Sequence, residues 1–419
     1  MALDRVSDMS WTRHRRLAAS TPAIVILIVL GLAIPNSVPH SSPTGTDGRY
    51  LVSPPPGKGS ISVGTSPLSV AFDPENGYLY VTNLGSNTLS VINGSTNGVV
   101  SSIPVSDGPS YVVFDSTNNN LYVAEDGSNN VTIISGNSNH VVGSVVTGYG
   151  PLGIGFDSSN GDLYVANSNS ANVTIINGAT EAAIGSITMN GPVDVAVDVT
   201  NGRLYATAAE ANITDSNAVA VIDGSSNQIV GWVPVQSTTE GIVYDSTNGY
   251  LYAVEDSISG PFGTGGVAVI DPANNTVVST LTVGSLPKGA TFDPSNGYVY
   301  VANSFSDNVS VIDGASGTVV GSIPVGSEPY AIAYDPNNGN LYVANKLSDN
   351  LTVFAGAPGP ASPSGGGAPA GWLEYLVIGG VLGGVVIIAA VILLSRRKRK
   401  PASTLPPSHP TSTGPAKRS

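Results

Sequence analysis

The chain contains no cysteine. Disulfides, thiolate nucleophiles and thiolate metal sites are therefore excluded, although that absence does not identify the compartment. Histidine is nearly as scarce: His14, His40, His140 and His409 are all there are. Only His140 falls in the repeated region, at the start of an outer strand where exposure is expected. No His cluster can hold zinc or iron, and no Ser-His-Asp arrangement has a suitable base. There is no P-loop and no dinucleotide fingerprint. Charge is also sparse, at 11% of residues. Residues 41–356 carry 26 Asp and Glu against 5 Lys and Arg, a net of −21. Nucleic acid is a poor partner for such a surface, because phosphate binding needs clustered Lys and Arg. The same charge suits solubility, attraction of cations, or a salty or acidic medium. Glycine (50) and proline (30) are abundant, which points to short strands joined by many turns.

Long apolar runs occur only near the two ends. Arg13, Arg15 and Arg16 precede a run over 17–34 whose strongly apolar part, 23–34, is short. This predicts a signal peptide or signal anchor over 1–40, with a small-x-small site at Gly31 and Ala33, and then a linker over 41–58. The second run, 376–394, has no charge. Trp372 and Tyr375 flank it, and Arg396, Arg397, Lys398, Arg399 and Lys400 follow it. This predicts a transmembrane helix over 372–394 with a cytoplasmic basic tail over 395–419, so that the repeats lie outside the cell. Gly379 and Gly383, and Gly380 and Gly384, are each four apart, a spacing that offers a dimerisation face. The tail has no recognisable domain and suits anionic lipid better than signalling. Residues 356–371 are nearly all Gly, Ala, Pro and Ser and read as a stalk.

Internal repeats decide the fold. A Leu/Val-Tyr-Val/Ala pattern recurs at Tyr80, Tyr122, Tyr164, Tyr205, Tyr252, Tyr300 and Tyr342, with spacings of 42, 42, 41, 47, 48 and 42. Each Tyr follows a turn that opens with Asp (73, 115, 157, 198, 245, 293, 335), with Asn three residues later. Gly follows that Asn in six of the seven; Asn119 is the exception. Asp can cap its own turn, and Asn-Gly supplies the positive φ of a hairpin. Each unit contains four short strand-like runs. The expected fold is an all-β, seven-bladed β-propeller over 59–355. The last unit stops after its third strand, and 59–64 (GSISVG) matches the fourth-strand motif GSIPVG at 321–326. The N-terminal strand can therefore close the last blade and leave the ring with no open edge.

Tyr80-Val81-Thr82-Asn83, Tyr300-Val301-Ala302-Asn303 and Tyr342-Val343-Ala344-Asn345 resemble the YVTN β-propeller repeat family, found in archaeal surface-layer and other cell-surface proteins. The resemblance covers about 59–355. Glu125, Ala208 and Glu255 replace the final Asn in blades 2, 4 and 5. It implies a propeller and a cell-surface setting, and some propeller lactonases and lyases also resemble this repeat. Lactonase sites lean on carboxylate-bound divalent metal or on His and Arg, and lyase sites on His. This region has one His and one Arg, Arg203.

Candidate site residues follow from what interrupts the repeat. A carboxylate-only metal site would draw on Glu125, Asp126, Glu240, Glu255 and Glu328. The turn aspartates offer oxygen to calcium, although local hydrogen bonding explains one Asp per turn. Blades 4 and 5 lengthen one loop, to 208–218 and 255–266. Two adjacent insertions would raise a lip on one face, carrying Glu210, Asp215, Glu255 and Asp256, with Glu240 and Lys288 beside it. Asn93, Asn130, Asn172, Asn212, Asn274, Asn308 and Asn350 open N-x-Ser/Thr triplets and are candidate glycan sites. The expectation is a cell-surface structural, adhesion or ligand-binding propeller without enzyme activity and with no cofactor beyond calcium. Its partners would be envelope components, glycans or other surface proteins. The alternative is an extracellular lactonase- or lyase-like enzyme using carboxylates and a divalent metal.

Overall fold

A computed structural model describes residues 59–208, 217–257 and 263–357, and the backbone of Gly379–Leu382 and Val385–Ile388. From 59 to 355 the chain forms seven four-stranded antiparallel sheets. The expected seven-bladed propeller is present. Blades 1 to 6 span 67–104, 109–146, 151–188, 192–234, 239–285 and 287–324, and each sheet follows chain order from the inside out. Blade 7 takes its inner three strands from 329–355. Its outer strand is Gly59–Ser62, which pairs with Asn350–Ala355, Ile61 lying opposite Leu351. The first strands of successive blades pack against one another around the ring, including blade 7 against blade 1.

The repeated Asp, Asn and Tyr explain the assembly. The residue after each Asn has positive φ: Gly77 at 73°, Gly339 at 70°, and at the one exception Asn119 at 61°. Asn is among the few residues other than glycine that adopt this conformation at tolerable cost. The turn thus closes in all seven blades, and its Asp caps it: Asp73 Oδ1 accepts the Glu75 N–H at 2.9 Å. Asn76 Nδ2 donates to Asp73 Oδ2 (2.6 Å), to the Tyr80 hydroxyl (2.9 Å) and to the Gly136 carbonyl of the next blade (3.0 Å). Tyr80 then donates to Asn139 Oδ1, also in the next blade, at 2.6 Å. Its ring is fully buried, as are those of the other six repeat tyrosines. The same clamp closes the ring: Asn338 Nδ2 donates to the Gly94 carbonyl at 2.9 Å and Tyr342 to Asn97 Oδ1 at 2.8 Å.

The clamp varies round the ring: Asn118, Asn248 and Asn296 bond the tyrosine and a carbonyl of the next blade, Asn160 Nδ2 reaches the tyrosine alone, and the junction of blades 4 and 5 has the least of it. The Tyr205 hydroxyl of blade 4 and Asn275 Oδ1 of blade 5 are buried without hydrogen-bond partners. This is the junction flanked by the two lengthened loops.

Two sets of β-bulges shape the blades. The fourth strands of blades 1 to 6 each carry one, as between Val91 and Ile92 opposite Val99–Ser101. Bulges of this kind discourage edge-to-edge pairing. Every first strand is also bulged near its start, as between Pro67 and Val70. That second set positions the site described below.

The expected N-terminal signal segment and most of the expected transmembrane helix lie outside the described residues. Within that helix's range, Gly379–Leu382 and Val385–Ile388 form a short antiparallel pair. No helix among the described residues is long and apolar enough to cross a membrane.

The clamp makes a differential prediction. Tyr342→Phe leaves Asn97 Oδ1 without its donor and should lower stability by about 1–2 kcal/mol. Tyr205→Phe removes a hydroxyl that has no partner and should stay within about 0.5 kcal/mol of the parent or stabilise it. Urea unfolding midpoints of the two variants check this; equal losses would refute the clamp as an energetic unit.

Candidate functional site at the channel mouth

The bulges at the start of the first strands release residues from the regular alternation of side chains, which re-aims them. Those residues line a cavity of about 150 Å³ at one end of the central channel. Part of the wall is apolar, from Leu68, Val70, Leu152, Val193 and Ile332. The remainder is ionisable or aromatic and falls into two poles.

The first pole is Asp194 with Tyr111. Asp194 Oδ1 accepts its neighbour's N–H, that of Val195, at 2.9 Å. Oδ2 accepts the Ile242 N–H of blade 5 at 3.2 Å. Burial pushes its carboxyl up to about 6, and these two bonds restrain the rise. No cation pairs with it among the described residues. The field of Asp194, followed by burial, drives the Tyr111 phenol far above its usual range. Gly153 makes room for this arrangement: a Cβ there would sit 2.7 Å from Asp194 Oδ1 and 2.5 Å from the Val193 carbonyl. Buried Thr207 braces the pole from behind, accepting the Asp194 N–H at 3.0 Å and donating to the Glu240 carbonyl at 3.0 Å.

The second pole is centred on Lys288. Its Nζ lies 2.7 Å from Glu240 Oε1 and 3.7 Å from Asp256 Oδ1. Burial pulls the ammonium down, but Glu240, joined by Tyr330 and Asp256, outweighs it, and the net shift is upward. Tyr330 stands beside it, its phenol raised by burial and tempered by Lys288. Lys346 Nζ lies 5.5 Å from the centre of the Tyr330 ring and 3.1 Å from Glu328 Oε1.

The structure thus brings together Glu240, Lys288 and Asp256 from the sequence-derived candidates, with Glu328 close by through Lys346. It sets others apart. Glu125 is fully buried away from the cavity, accepting the Ser106 N–H at 2.8 Å and the Thr132 hydroxyl at 2.7 Å. Glu255 is equally buried and accepts the N–H groups of Gln236 and Ser237. Asp126 is exposed on its loop. Glu210, Asp215 and Asn212 lie outside the described residues. No group of three or more His, Asp or Glu side chains converges on a metal position among the described residues. The carboxylate set expected for a divalent ion, Glu125, Asp126, Glu240, Glu255 and Glu328, therefore does not converge on one position.

Asp194, Tyr111, Tyr330 and Lys346 were not among the sequence-derived candidates. The available signal was the repeat itself. The position of Asp194 is Ser69, Tyr111, Gly153, Gly241, Gly289 and Ala331 in the other blades. A lone acid in an otherwise small or neutral column stands out once the blades are aligned on their bulges.

Four candidate glycan sites acquire a second meaning. Asn303 Nδ2 donates to Asn308 Oδ1 at 2.7 Å and to Ser310 Oγ at 2.9 Å. Asn345 does the same with Asn350 and Thr352, and Asn167 with Asn172 and Thr174. Both polar residues of the triplet are thus partners of the buried Asn that ends the YVxN motif. In blade 2 the triplet Asn130–Thr132 faces Glu125 instead. Asn93 accepts the N–H groups of its own turn, and Asn274 is exposed on another turn.

No family model matches the chain, and no curated protein matches it. The structure is similar to a chain of Kuenenia stuttgartiensis hydrazine synthase, with a TM-score of 0.63 and 20% identity over 70% of this chain and 97% of that one. At that identity the likeness shows the fold, a seven-bladed propeller. The resemblance to the YVTN family is therefore upheld as far as the fold. The expectation of a chain without enzyme activity is corrected: the same architecture occurs within an enzyme, so the fold does not remove catalysis.

The Asp194 carboxyl has a pH consequence. Its folded-state value of about 6 lies above its ordinary 3.8, so between these limits the native state holds more protons than the unfolded one. Stability contributed at this position is therefore present at low pH and lost as pH rises through about 6. Asp194→Asn should remove that loss. The variant's melting temperature relative to the parent should be higher at about pH 7.5 than at about pH 4.5. A pH-independent difference would contradict the raised carboxyl.

Proposed function

We propose that this chain is a surface-exposed, membrane-anchored propeller that admits a small polar molecule to its channel mouth and can carry out acid–base chemistry there. One observation carries the reading. Asp194, Glu240, Lys288 and Tyr330, on residues freed by the first-strand bulges, gather around one cavity with Tyr111 beside its own bulge. Perturbed ionisable groups that converge on a cavity, as Asp194, Lys288, Tyr111 and Tyr330 do, are the usual mark of a functional site. A carboxyl that titrates near neutrality both gives and takes protons at modest cost. The apolar run 376–394 with its basic flank supports the anchor, and the Gly/Pro/Ser/Ala segment supports a stalk.

A second reading, adhesion to envelope components or glycans, is favoured by a specific feature. Tyr149, Phe305 and Leu347 are large, apolar and exposed, at 67%, 63% and 69%. All three lie on loops of the face where the cavity opens. Such a rim suits a partner that covers the mouth.

The full chain in detergent should gain thermal stability from at least one small polar compound in a panel of amines, acids, lactones and sugars, by mass action on the folded state. That gain should disappear in Asp194→Asn or in Lys288→Met. A gain that survives both substitutions would place the ligand elsewhere. Because the chain has no cysteine, topology can be read with single thiols. Thr96→Cys should react with an impermeant maleimide in intact cells, and Ser403→Cys only after permeabilisation. The reverse pattern would overturn the surface placement.

A further inference from the structure

Resting on the reading of the channel mouth as a small-molecule site, we propose that its ligand is a small organic cation, a primary alkylammonium in the simplest case, seated with its charged end on Asp194 and its carbon chain against the apolar wall. Three observations converge. The first is charge. Within the cavity wall Asp194 and Glu240 face a single ammonium, Lys288, which is already held by Glu240 at 2.7 Å with Asp256 at 3.7 Å. Asp194 is left without a cation among the described residues. A carboxylate enclosed by protein is costly unless it is paired. Its two main-chain bonds, from Val195 and Ile242, orient it without neutralising it.

The second observation is shape. A cavity of about 150 Å³ is well below the roughly 300–1,000 Å³ of sites that take drug-sized molecules. Leu68, Leu152 and Val193 offer a surface that a bare metal ion would not use, whereas an alkyl chain would. Tyr111, whose phenol lies in the field of Asp194, adds an aromatic group of the kind that receives organic cations.

The third is the field of the whole domain. With a net of −21 over 41–356, the propeller draws cations towards its surface and turns anions away. An anionic ligand would need a free cation at the mouth. Lys288 and Lys346 are both engaged, by Glu240 and Glu328.

The test uses the full chain in detergent and three probes of matched size: n-butylammonium, n-butanol and n-butyrate. Binding is read by calorimetry or saturation-transfer NMR. At about pH 7.5, where Asp194 is ionised, butylammonium should bind and the other two should not. Asp194→Asn should weaken it about tenfold or more, as loss of a charged hydrogen bond implies. In the parent, affinity should fall as pH drops through about 6, because the carboxylate is then protonated. The Asn variant should be flat over that range. This pH arm needs no substitution, so it stands even if the variant folds poorly. Preferential binding of butyrate or butanol that is lost in Lys288→Met would overturn the cation assignment while sparing the small-molecule site. Butylammonium affinity unchanged in Asp194→Asn would also overturn it. Failure of all three probes to bind would defeat the cation and count against the small-molecule site as well.

Discussion

The structure depends on one interaction that recurs at most junctions of the ring: an asparagine that bonds its own tyrosine and a carbonyl of the next blade, as Asn76, Asn118, Asn248, Asn296 and Asn338 do. A blade alone is a small twisted sheet with two faces to cover. The clamp fixes where its neighbour sits, so that the apolar residues of adjacent faces interdigitate. Tyr80, for example, packs with Val112, Leu121 and Val123 of blade 2, and Tyr342 with Val70, Leu79 and Val81 of blade 1. Each hydrogen bond contributes only about 1 kcal/mol. Its larger effect is geometric: it fixes one blade against the next, and the first strands pack in succession until blade 7 meets blade 1. Closure then relies on Gly59–Ser62 completing blade 7 from the other end of the chain.

What was legible in the sequence was whatever the fold needs seven times. Asp73 and its counterparts, the Asn three residues on, and the Tyr that follows were visible because every junction imposes the same requirement. Even Asn119 could be read as a substitute for glycine, since the turn needs positive φ there. The site was legible only in part. Glu240 and Lys288 stood out as charges at the starts of first strands. Asp194 and Tyr111 did not, because their significance depends on a bulge and on ring closure, neither of which leaves a local mark. Glu125 and Glu255 were misleading for a related reason. As charges on loop-proximal positions they resemble ligands, yet each occupies the buried place of the YVxN asparagine and caps main-chain N–H groups.

That buried place also explains the triplets. A blade with Asn at the end of YVxN has polar residues at the two positions that meet it across the sheet. In blade 4 the three positions are Ala208, Ala218 and Ala220, and the network is gone as a unit. An isolated Asn with neither partner would strand its amide in the interior, and an isolated hydroxyl would fare little better. The N-x-Ser/Thr pattern of blades 3, 6 and 7 therefore serves the interior, as Thr88 and Ser90 do for Asn83 in blade 1, whether or not any glycan is attached.

Blade 4 then acquires a distinct character. It lacks this network, its tyrosine makes no bond to blade 5, and one of its loops is lengthened. Near the channel this junction is held by the Ile242 N–H to Asp194, the Thr207 hydroxyl to the Glu240 carbonyl and the Ala208 N–H to Thr239 Oγ1. The carboxylate that dominates the cavity is thus also one of the fasteners of a junction whose tyrosine makes no bond to the next blade. Its charge state bears on both roles at once. When ionised it accepts the Ile242 N–H strongly but is costly to enclose; when protonated it is cheaper to enclose but a weaker acceptor. A ligand that supplied positive charge would relieve that conflict without disturbing the bond. Where most junctions are secured by an asparagine that reaches the next blade, this one carries the group with the most to gain from binding.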